Sequence, residues 1–79
     1  MTVSLEGMHE KLRCRFIHDA VIFEDFTLQK GQPAPELVPP GPLLLQVYTH
    51  SSAGTQVLDE RALTPQSDQE LDVVFNVER

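Results

Sequence analysis

Seventy-nine residues carrying a formal net charge of −6 provide for one core and no second domain. A chain this short buries only about 60% of its unfolded surface on folding, so a disulfide, a structural metal or self-association usually supplements the core. Cys14 is the lone cysteine, which excludes an internal disulfide, and the acidic balance disfavours non-specific attraction to phosphate backbones and anionic lipid.

The chain opens without a basic n-region or an apolar h-region. Its longest unbroken apolar runs, 20–23 and 43–45, are far too short to cross a bilayer. These features lead to the expectation of a soluble, cytoplasmic, single domain over 1–79, with no membrane contact and no cofactor.

Thr2 to Leu5 reads as a short strand followed by a turn. The competing helix would start at Ser4 and space Leu5, Met8 and Leu12 correctly, but Gly7 costs it about 1 kcal/mol relative to Ala. From Lys11 a two-residue period is plain. Leu12, Cys14, Phe16 and His18 take one face, and Lys11, Arg13, Arg15 and Ile17 the other. Asp19-Ala20 lacks the Asn-Gly or Asp-Gly chemistry of a tight hairpin and reads as a weak turn or corner. Val21 to Leu28 is a strand whose apolar parity switches between Phe23 and Phe26. A bulge or kink at Glu24-Asp25 would reconcile the two phases.

Residues 30–42 hold five of the six prolines and read as a semi-rigid loop. The stretch from Pro42 to His50 is the longest apolar, β-prone run, and its length and breaker-rich flanks make it a central strand. Ser51 to Gly54 turns the chain. Thr55 to Leu63 fits either a two-turn helix or a strand, and a strand is preferred because its neighbours need a partner. Pro65 to Asp68 turns again, and Leu71, Val73, Phe75 and Val77 alternate along a last strand. The fold expected is all-β and mainly antiparallel: a small sheet, sandwich or open barrel of 4–6 strands with room for one short helix.

Each candidate chemistry has a plainer explanation. Lys11, Arg13 and Arg15 form a basic stripe, a phosphate track in principle, yet without the interleaved aromatics that stack bases. Direct nucleic-acid binding is not expected. Cys14 and His18 would sit about 13 Å apart on a strand, too far to share a metal ion unless the strand bends. His50-Ser51-Ser52, with Asp59 or Asp68 as orienter, has the residue types of a hydrolytic triad, but turn chemistry explains the serines. The acidic doublets Glu24-Asp25 and Asp59-Glu60 diverge along strands, and Pro39 to Pro42 matches a P-x-x-P pattern by composition alone.

These readings favour a non-catalytic protein–protein interaction or assembly module, a homodimer or a partner-bound chain, over an enzyme. Its contact residues are the outward-facing apolar Ile22, Leu44, Tyr48 and Val74, unless the proline loop covers them with Leu37 and Val38 as anchors. The alternative is an acidic regulator whose Asp59, Glu60, Asp68, Glu70 and Asp72 imitate phosphates towards a basic nucleic-acid-binding protein.

Overall fold

A computed structural model describes residues 1–67 and 69–79. The chain forms seven strands: β1 (Thr2–Gly7), β2 (Lys11–His18), β3 (Val21–Gln29), β4 (Ala34–Pro35), β5 (Leu43–Ser51), β6 (Gly54–Leu63) and β7 (Asp72–Val77). No helix forms among the described residues, and no sheet closes into a barrel. A three-stranded sheet runs β4-β1-β7 and a four-stranded sheet runs β3-β2-β5-β6. All pairings are antiparallel except β1 with β7, which lie parallel and in register from Thr2↔Asp72 to Gly7↔Val77. The two ends of the chain therefore share one sheet, and the meander between them builds the other.

Period-two alternation decides which side chains turn inward. Val3 and Leu5 of β1 join Val73, Phe75 and Val77 of β7; from the other sheet come Leu12, Cys14, Phe16, Leu28, Leu43, Leu45, Val47 and Leu58, and all are buried in one cluster. Two sheets that share one apolar layer form a sandwich. Phe16 lies at its centre, with the Phe26 ring edge-on at 5.6 Å and the Phe23 ring at 5.9 Å. Fully burying a side chain of this kind is worth about 1.5–3 kcal/mol.

The Asp19-Ala20 connection corrects the sequence expectation. It is a tight two-residue hairpin, closed by the His18↔Val21 pair, with φ of 51° at Asp19 and 63° at Ala20. The twist of the paired strands demands this left-handed turn even where no glycine or asparagine is present to take it without strain. The phase switch in β3 is resolved by a register shift that leaves Phe23 as the extra residue, between the pairs Phe16↔Glu24 and Ile17↔Ile22. The irregularity is thus one residue earlier than Glu24-Asp25. The ring of the extra residue packs against Phe16.

The proline-rich stretch is stitched to the three-stranded sheet. Val3 pairs with Ala34, the Glu36 N–H donates to the Met1 carbonyl at 2.8 Å, and the Gly41 N–H donates to the Pro65 carbonyl at 3.0 Å. Val38 packs on the core while Leu37 stands 98% exposed. At the opposite flank the open edges of β6 and β7 meet. There Arg61 donates to the Val74 carbonyl at 3.1 Å and Arg79 to the Leu58 carbonyl, so arginine side chains satisfy edge carbonyls that no strand reaches.

Candidate functional site

The outer face of the four-stranded sheet is the most elaborated surface of the molecule. Its register sorts the outward side chains into rows that cross all four strands in the order β3, β2, β5, β6. The first row is Ile22, Ile17, Leu44, Ala62. The second is Asp25, Arg15, Gln46, Glu60, and the third is Thr27, Arg13, Tyr48, Val57. Beyond them lie Lys11 with Gln29 on one hairpin and His50 with Thr55 on the other.

Rows two and three are knitted together by polar contacts. Arg13 donates to Asp25 Oδ1 at 2.8 Å and to Thr27 Oγ1 at 3.1 Å, while the Tyr48 hydroxyl donates to the same Asp25 carboxylate at 2.6 and 2.8 Å. Arg15 donates to Gln46 Oε1 at 2.8 Å and lies 4.6 Å over the Tyr48 ring. Gln46 in turn donates to Glu60 at 3.1 Å. The Tyr48 oxygen, first, and the Asp25 carboxylate raise the pKa of Arg13 above its ordinary value. The charged groups here hold one another in place, which fixes their positions more than it stabilises so exposed a face.

The first row has no such cover. Ile22 is 49% exposed, and Leu44 and Ile17 are half-buried. A groove of about 520 Å³ runs beside the row, lined by Ile17, Leu44 and Ala62 together with Pro42, the one residue of the 30–42 loop that reaches it. Val21 and Phe23, at 61% and 38% exposure, extend this apolar end onto the sheet edge.

Of the four contact residues expected from sequence, Ile22 and Leu44 fall in this row. Tyr48 lies on the same face but is only 7% exposed, enclosed by Arg15 and tied to Asp25. Val74 is on the opposite side of the molecule, paired with Ser4 on the outer face of the three-stranded sheet. Ile17 and Ala62 complete the row and escaped the sequence reading. By alternation Ile17 shares a face with the basic stripe, and Ala62 belongs to the segment for which a strand is only preferred over a two-turn helix. The signal that finds them is register: once Ile17 faces Ile22 and Leu44, the row follows.

The remaining candidates are dispersed. Cys14 points into the core, where burial pushes its thiol up from 9.0 to about 12. His18 is at the far end of β2, with its Nδ1 2.9 Å from the Pro42 carbonyl oxygen. Among the described residues no group of three or more His, Cys, Asp or Glu side chains could hold a metal ion. Ser51 Oγ accepts the Ala53 N–H at 3.2 Å, and His50 Nδ1 is 2.9 Å from Thr55 Oγ1. Asp59, Glu60 and Asp72 sit on different faces or edges, Glu70 lies in the preceding loop, and Asp68 lies outside the described residues. Comparisons with protein-family models, with curated proteins and with solved structures return no match to this chain.

Proposed function

We propose that the chain is a non-catalytic assembly module that pairs with a second copy of itself through the apolar end of the four-stranded sheet. The observation that carries this reading is the uncovered row Ile22, Ile17, Leu44, Ala62. An aliphatic strip left open across every strand of a sheet marks a contact surface more often than it marks free surface. Core size supports it as well. A chain of 79 residues with one buried, unpaired cysteine gains proportionately from burying more apolar area.

Charge selects the occupant. The outer face holds Lys11, Arg13 and Arg15 against Asp25 and Glu60, out of six Lys/Arg and twelve Asp/Glu in the chain. Three cations against ten anions are left for everything else. Two copies of so acidic a protein repel through most approaches; the outer face of this sheet carries the smallest share of that charge, with Asp19 at the edge of the groove beside the row.

Light scattering across a concentration series tests the reading. A dimer that dissociates on dilution and resists added salt is expected, because the contact is apolar. A strict monomer at millimolar concentration contradicts it.

A further inference from the structure

The ladder between β2 and β5 ends at the Arg13↔Tyr48 pair. Both strands nevertheless continue: β2 runs on to Lys11 beside β3, and β5 runs on to Ser51 beside β6. Over Lys11-Leu12 and Thr49-His50 the two hairpins therefore part. At the same level the β5–β6 register shifts between Val47 and Tyr48 and leaves Leu58 of β6 as the extra residue. A bulge of this kind bends its own strand, here β6, and increases the local twist beside the point where β2 and β5 part.

A solvent-open cleft of about 260 Å³ occupies that opening, lined by the cationic or titratable Lys11, Arg13 and His50 and by the hydroxyl-bearing Thr27, Tyr48 and Thr49. Among the described residues no carboxylate lines it, and Asp25 stands behind it as the acceptor of Arg13 and Tyr48. Arg13 is held by Asp25 and Thr27, so its fork is fixed before any ligand arrives. The His50 ring is anchored through Nδ1 to Thr55. The Lys11 side chain has no hydrogen-bond or ion-pair partner among the described residues.

We propose that this parted-strand cleft binds a tetrahedral oxyanion, a phosphate group in the first instance. An ammonium, a fixed guanidinium and threonine hydroxyls suit several oxygens at once better than they suit a planar carboxylate. The volume lies just below the roughly 300–1,000 Å³ of whole-ligand pockets, so the cleft takes a single charged group and not an entire nucleotide. Lys11 lies about 20 Å along β2 from Ile17. The site therefore stands apart from the apolar row.

The test is an amide NMR titration of the intact chain with inorganic phosphate, at an ionic strength held constant with chloride. Saturable shifts confined to residues 11–13 and 48–50 are expected, weakened about tenfold in Lys11→Gln, the effect of one lost charge-assisted contact. The double variant Lys11→Gln, His50→Gln loses saturation altogether. Linear shifts, shifts scattered over the surface, unchanged affinity in Lys11→Gln, or acetate binding as tightly as phosphate would each overturn the proposal.

Discussion

The two sheets of this sandwich share an inner chemistry and differ on the outside. Inward, both present Val, Leu and Phe at every second position, and the cluster runs across them without a seam. Outward, the three-stranded sheet shows Thr2, Ser4 and Glu6 on β1 beside Asp72, Val74 and Asn76 on β7, a solvated surface broken by one valine. The four-stranded sheet instead carries an aliphatic row, a network of arginines and carboxylates, and a parted ladder. The difference separates two tasks: the three-stranded sheet ties the chain ends together, and the four-stranded sheet displays a surface. Perturbing each side should therefore give different phenotypes.

The largest effect is expected inside, where the sheets are alike. Burial holds the Cys14 thiol at about 12, against 9.0 ordinarily, so the unfolded chain ionises first as pH rises. The stability tied to the neutral thiol is complete below about pH 9 and is lost progressively towards pH 12. The loss reaches about 3 kcal/mol by pH 11. Urea midpoints measured from about pH 8 to 11 should fall accordingly, and the Cys14→Ala variant should lack this part of the slope. In the parent chain the buried Cys14 thiol should also resist aromatic disulfide reagents until the protein unfolds.

The tie between the chain ends comes next. Gly7 sits at φ 105°, and a methyl group added there would overlap the Val77 carbonyl oxygen of the parallel partner strand. Strain and overlap together should cost Gly7→Ala about 3 kcal/mol, read as a lowered thermal midpoint. A substitution tolerated without loss would show that the β1–β7 pairing is not what holds the ends. On the display side the strain is smaller and can be relieved. Ala20→Gly, at φ 63°, should stabilise the β2–β3 hairpin by up to about 1 kcal/mol, read as a raised thermal midpoint.

Much of this division could be read from the letters, and some could not. The strands beginning at Lys11 and Leu71 follow from alternation, because a half-buried strand must place its apolar residues two apart, and the central strand over Pro42 to His50 follows from a short apolar run between breakers. Which strands become neighbours depends on closing long loops, and no local pattern encodes the parallel meeting of Thr2 with Asp72. The Asp19-Ala20 hairpin was hidden because its residues are not those that usually accept a left-handed turn. Ile22 and Leu44 were legible as outward-facing aliphatics. Tyr48 was legible only as facing outward, since its burial depends on Arg15 reaching across from the next strand. The parted ladder and the bulge at Leu58 are matters of register, and an extra residue in a continuous strand leaves no mark on composition.

The central claim is that the two outer faces differ in kind, one a contact surface and the other solvated. Leu44→Glu and Val74→Glu place the same charge at partly exposed positions on opposite faces, and neither empties the core. Sedimentation equilibrium on these two variants and the parent chain is the most direct test. The account predicts that the parent and Val74→Glu are dimers and Leu44→Glu is a folded monomer. A parent that is monomeric, or a dimer broken by Val74→Glu and untouched by Leu44→Glu, would contradict it.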